Sequence, residues 1–106
     1  MIKIVYNVTV KIDITINDDW LTWMKDVHIP DVMMTGKFLS WRIKKILGDE
    51  DPLGVTYAIQ YVAPSMDSFL DYNQHYAQDL QKEHQDRYEG KYVAFRTLME
   101  IVAEMD

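Results

Sequence analysis

An α+β domain with the element order βαββαβ is what this sequence predicts, and three observations carry the prediction. An apolar residue stands at every even position from Ile2 to Ile16; two later stretches alternate in the same way around a glycine-containing acidic loop; and two segments with apolar residues at 3,4 spacing separate the strands. The first alternation marks one long half-buried strand within Met1 to Asn17, with Lys3, Val5, Asn7, Thr9, Lys11, Asp13 and Thr15 on its other side, all polar except Val5.

Each element follows in order. Asp18 is placed to cap a helix, Asp19 suits the positive end of its dipole, and Trp20, Trp23, Met24, Val27 and His28 line one face. Pro30 disfavours helical torsions at Ile29, so a break is expected at His28-Ile29-Pro30, with a short turn through Met34 and a stop at Gly36. Strand two is read from Phe38 to Leu47, a hairpin loop from Gly48 to Gly54, and strand three from Val55 to Val62. Ser65 caps a helix running to Tyr88, whose inward line is read as Met66, Phe69, Leu70, Asn73, Tyr76, Ala77, Leu80, His84 and Tyr88. Gly90 ends it, and strand four runs from Tyr92 to Ala103. Two right-handed crossovers then give a four-stranded antiparallel sheet with both helices on one face, the ferredoxin-like arrangement, as a single domain over residues 1–106.

Composition narrows the function classes. The chain has 106 residues and no cysteine, which removes disulfides, thiolate zinc sites and cysteine nucleophiles. Together with an N-terminus that alternates with charges, this leads us to expect a cytoplasmic protein. No apolar run approaches the ~20 residues of a membrane span. A formal charge of −6 repels phosphate backbones, so nucleic acid is not an expected partner.

The sheet face away from the helices is expected to meet a second copy of the chain. Asn7, Thr9, Gln60 and Arg96 are assigned to that face, alongside Tyr92, Leu98, Val62 and Val102, a surface too apolar for a lone subunit. Arg96 has a second reading, as a clamp for a ligand carboxylate, set against pairing with Glu100, Gln60 or the partner subunit.

Several side chains are candidates for chemistry. His28 is the candidate acid or base, with a structural histidine at the broken turn as the preferred alternative. Tyr57, Tyr72, Asn73, Tyr76 and His84 are candidate ligand-binding residues, walls for a small planar apolar molecule, weighed against a tyrosine-rich core. His75 belongs with Gln78 and Asp79 on the outer, solvated side. No metal or cofactor is expected: His28 and His84 lack a third converging ligand, and Asp49-Glu50-Asp51 reads as a solvated hairpin tip without calcium-loop spacing. Cofactor-free enzymology and a non-enzymatic regulatory or scaffold role are the alternatives to simple ligand binding.

Trp23-Met24, His28-Ile29-Pro30, Thr35-Gly36-Lys37-Phe38, Gln60-Tyr61, Tyr72, His84 and Phe95-Arg96-Thr97 together resemble a small bacterial family known as domain of unknown function 4286, over nearly the whole chain. The spacing of helix, proline, glycine and strand also looks like the wider dimeric α+β barrel superfamily, which includes small cofactor-independent monooxygenases, isomerases and haem-degrading proteins. That resemblance implies a homodimer with a pocket between each sheet and its own helices. The family itself implies no particular activity.

Overall fold

The alternating segments pair into one antiparallel sheet. In the computed structural model, which describes residues 2–105, strands β1 (Ile4–Asp13), β2 (Ser40–Lys45), β3 (Gly54–Ala63) and β4 (Tyr92–Glu100) lie in the order β2-β3-β1-β4. This is the expected ferredoxin-like topology. Residues opposite one another in an antiparallel ladder point to the same side, so the register propagates the β1 stripe across the sheet. Tyr6 stands opposite Tyr61 and Leu98, Val8 opposite Ile59 and Arg96, and Val10 opposite Tyr57 and Ala94. These residues face the helices; Asn7, Thr9, Gln60, Val93, Phe95 and Met99 face the other way.

The first strand is shorter than its alternation. Asp13 is the last residue of the ladder, and its carboxylate accepts from the Thr15 amide, capping a 3₁₀ turn over Ile14–Ile16. Helix α1 (Asn17–Trp23) begins there, without a side-chain cap from Asp18. The expected break at His28-Ile29-Pro30 is absent. Instead a π-helical stretch, Met24–His28, leads directly into α2 (Ile29–Met34), and the Ile29 amide donates to the Met24 carbonyl. A proline ring clashes with the carbonyl four residues back; one widened turn ahead of Pro30 displaces that carbonyl and lets the helix continue. Gly36, with φ 75°, ends it in the left-handed region that favours glycine.

The long helix divides. Ser65 caps α3 (Met66–His75) through the Ser68 amide, as expected, but Tyr76 has φ −127° and separates it from α4 (Ala77–Tyr88). Phe69, Tyr72, Ala77 and Tyr88 are its buried residues, with Leu80 and His84 half-buried. Asn73 and Tyr76 are exposed, so their assignment to the inward line is corrected. The step from Tyr72 to Ala77 spans five positions, and the kink at Tyr76 brings the later half back into phase. The apolar core lies between the helices and this sheet face, centred on Trp20, Ile12, Ile29, Ile59 and Val32, all essentially inaccessible.

The hairpin tip closes back on β1. Lys11 Nζ lies 3.3 Å from Asp49 and 2.9 Å from Asp51, so these acids are ion-paired and not simply solvated. Among the described residues no helix is long and apolar enough to cross a membrane.

Candidate functional site

A cleft opens between the helices and the β1–β4 half of the sheet. It encloses about 40 Å³, and about 500 Å³ when its solvent-facing mouth is included. The enclosed part holds no more than waters or one end of a ligand, and the larger figure takes in open solvent at the mouth. Strand β1 supplies Tyr6 and Val8 to the floor, α1 and the π-helical stretch supply Trp20 and His28, and α4 supplies His84. The fourth wall is β4, through Tyr92, Ala94 and Arg96.

Histidine and aromatic rings crowd the inner end. His28 and His84 stand with ring centroids 5.9 Å apart, Trp23 stacks on His28 at 5.1 Å, and Tyr92 meets His84 edge-on at 4.4 Å. The Trp20 indole Nε1 donates to His84 Nε2 at 2.9 Å. An indole nitrogen only donates, so His84 Nε2 carries the lone pair and its single proton sits on Nδ1. Burial lowers the pKa of His84 to about 4, helped by His28 and Arg96. His28 also falls to about 4, chiefly through burial, with Asp31 opposing and Arg96 reinforcing the shift. Both rings are neutral near pH 7. His28 Nδ1 is buried and has no hydrogen-bond partner among the described residues. A buried polar atom of this kind calls for a partner, and His28 is a lining residue of the cleft.

Tyrosines form the other end. Tyr6, Tyr61, Tyr72 and Phe38 pack with centroid separations from 4.8 to 6.2 Å. Burial raises the pKa of both Tyr61 and Tyr72, keeping their phenols neutral. Arg96 reaches this cluster, and its Nε donates to the Tyr6 hydroxyl at 3.0 Å.

The sequence-based candidates therefore divide. His28, Tyr72 and His84 come together in the cleft wall. Tyr57 is buried beside it, stacked on Trp20 and donating to Asn17 Oδ1 at 2.5 Å, a core position and not a lining one. Asn73 and Tyr76 lie on the exposed side of the kinked helix. Asn7, Thr9 and Gln60 do share the outer face, where Gln60 donates to Asn7 and Asn7 to Thr9. Arg96 does not: opposite Val8 in the ladder, it lies on the helix side. Tyr92 and Leu98 move with it, and the outer face instead carries Val93 and Phe95, 70% and 63% exposed. His75 is exposed, 3.4 Å from Asp71.

Tyr6, Trp20 and Tyr92 are lining residues that the sequence reading left in the core or on the wrong face. The β1 stripe already contained the signal for Tyr6, since it is the aromatic member of an otherwise aliphatic row.

The model of the family described as domain of unknown function DUF4286 matches residues 3–102. The chain belongs to this family. This DUF4286 chain shares its fold with several solved structures of low sequence identity. A dimeric ferredoxin-like protein from an uncultured marine organism is 13% identical, with 99% of this chain and 100% of that one covered and a TM-score of 0.72. An ethyl tert-butyl ether D (EthD) family protein from Bacillus halodurans is 9% identical, over 99% and 100% of the two chains, at a TM-score of 0.65. A hydroxynitrile lyase from Passiflora edulis is 19% identical over 91% and 93%, at 0.60. No curated protein matches the chain. These likenesses establish the ferredoxin-like fold of a DUF4286 chain and leave its activity unassigned.

Proposed function

We propose that this protein is a cytoplasmic homodimer, a dimeric α+β barrel, in which each subunit binds a small planar molecule in the cleft between its own sheet and helices. The observation that carries the binding role is the cleft wall: aromatic rings and aliphatic side chains set around His28, His84, Gln81 and Arg96, with His28 Nδ1 buried and without a hydrogen-bond partner among the described residues. Flat apolar walls suit a flat ligand, and sparse polar atoms orient it. The homodimer is supported by the apolar row on the outer face and by a fold shared with a protein described as dimeric. Titrating the protein with phenol and following the Trp20 indole and His28 ring resonances tests the binding role. Shifts confined to cleft residues are expected at millimolar phenol; no shift at those residues would overturn it.

An enzymatic reading is favoured by the same nitrogen. A neutral imidazole with a free ring nitrogen at the inner end of a ligand site is placed to take or give a proton, the part played by a general acid or base. Fold neighbours include a hydroxynitrile lyase, so the scaffold is compatible with an enzyme. On this reading His28→Gln leaves phenol binding within a few-fold and removes turnover of any substrate found. Full turnover by that variant would remove His28 from the chemistry.

A further inference from the structure

We propose that Arg96 is the anchor for an anionic group, so that the ligand of the cleft is a small planar carboxylate with its ring against the aromatic wall. This inference rests on the ligand-binding reading above and names its substrate class.

Charge is the first argument. The chain carries a net −6, yet Arg96 is the one formally charged residue lining the cleft, and no aspartate or glutamate stands among the lining residues. None of the ion pairs among the described residues involves Arg96. Glu100 and Gln60, its expected partners, leave it free: Gln60 is bonded to Asn7 on the opposite face of the sheet. Arg96 is exposed, and a guanidinium at the edge of the cleft with no carboxylate ion-paired to it gives the cleft mouth a local positive potential, screened in part by solvent and salt.

Geometry is the second. The Tyr6 hydroxyl takes the Nε hydrogen of Arg96 at 3.0 Å. The bond holds the planar head against the cleft wall and leaves the Nη hydrogens for a ligand, and two parallel hydrogen bonds from a guanidinium match the two oxygens of a carboxylate. A lysine has no such fork.

The surrounding groups agree with this choice. His84 must hold its proton on Nδ1, so it presents a donor and not a charge, and His28 offers one unpartnered nitrogen. The positive charge of Arg96 reaches both rings and pushes their pKa values down. A bound carboxylate would offset that charge, a lesser cause than burial, and shift both values up. The acid nearest to this group in effect is Asp31, which faces His28 from α2 and does not line the cleft.

Benzoate and benzamide, nearly isosteric and differing in charge, test the proposal. Binding is followed by the Trp20 indole and His84 ring resonances in the wild type, Arg96→Gln and Arg96→Lys, with thermal unfolding as a check on folding. Benzoate should bind the wild type at least tenfold tighter than benzamide. Arg96→Gln should abolish that preference, Arg96→Lys should retain part of it, and benzoate should raise the His84 pKa in the wild type alone among the wild type and the Gln variant. Equal binding of the two compounds by the wild type, or an undiminished preference in Arg96→Gln, overturns the anionic anchor and leaves the cleft a ligand site. Absence of any cleft shift with either compound overturns both.

Discussion

His84 gives up its Nε2 lone pair to the Trp20 indole and is surrounded by His28, Trp23, Tyr88 and Tyr92, so protonating it means losing a hydrogen bond and burying a charge together. Folding therefore favours the neutral form of both cleft histidines, whose pKa values fall from 6.5 to about 4. For a base with a lowered folded-state pKa, the unfolded chain binds more protons between the two values. The stabilisation is thus complete above about pH 6.5 and is lost as pH falls through about 4, by an amount on the order of a few kcal/mol for the pair. Urea unfolding at pH 7 and pH 5 should give a lower midpoint at the lower pH, with a smaller difference in His28→Gln. An unchanged difference in that variant would assign the slope to other groups. Trp20→Phe removes the indole donor and leaves a buried acceptor unpaired, at a cost of about 1–3 kcal/mol. It also frees the His84 lone pair for a proton, so the His84 pKa should rise from about 4, as read from its ring resonances.

Helices expose where periodicity succeeds and where it ends. Continuous 3,4 spacing from Met66 onward assigns Asn73 and Tyr76 to the core; Tyr76, at φ −127°, interrupts the helix, whereas Asn73 lies in its regular part and is exposed with Met66 and Leu70 because the buried line there runs through Phe69 and Tyr72. Before the kink the buried position is Tyr72, 3% exposed and packed against Tyr6 and Phe38. Tyr72→Ala should then cost about 3 kcal/mol or more, in the range of a buried aromatic truncation, whereas Asn73→Ala should change stability by less than about 0.5 kcal/mol. The reverse order in urea unfolding would show that the inward line does follow the uninterrupted spacing. The π-helical turn ahead of Pro30 is similarly hidden from sequence, because a proline signals a conflict without saying whether the chain breaks or widens a turn. Strands are more legible. The β1 alternation fixes both the sheet and its covered face, and Asn7, Thr9 and Gln60 fall on the side expected of them. Strand four fails the same test because both of its rows contain apolar residues; only the pairing of Val8 with Arg96 decides the matter, and register is a property of two strands. The site inherits this division: His28, Tyr72 and His84 were visible as residues near helix turns, while Arg96 was visible as chemistry but put on the wrong face.

At the scale of the molecule, the corrected face of β4 strengthens the case for a second subunit. Val93 and Phe95 stand 70% and 63% exposed, and Met99, 39% exposed, continues the same row past Thr97. Adjacent rows add Val5 and Val62, so the apolar residues are contiguous and not scattered. A twofold axis through this face lets one patch cover itself, and a standard interface buries about 1,600 Å² in all. Each chain brings a formal charge of −6 to the pair. Like-charged subunits repel over distances that salt shortens to about 10 Å at 0.1 M, so association through an apolar face should tighten as salt rises, the opposite of an interface held by ion pairs. Phe95→Glu should place a carboxylate in that face and convert the dimer to a species of one chain's mass in light scattering at micromolar concentration. Because the cleft lies on the other side of the sheet, the same variant should bind phenol with cleft shifts like those of the wild type. A Phe95→Glu protein that remains dimeric would put the interface elsewhere, and one that is monomeric but no longer binds would mean that the partner holds the cleft in shape through the sheet.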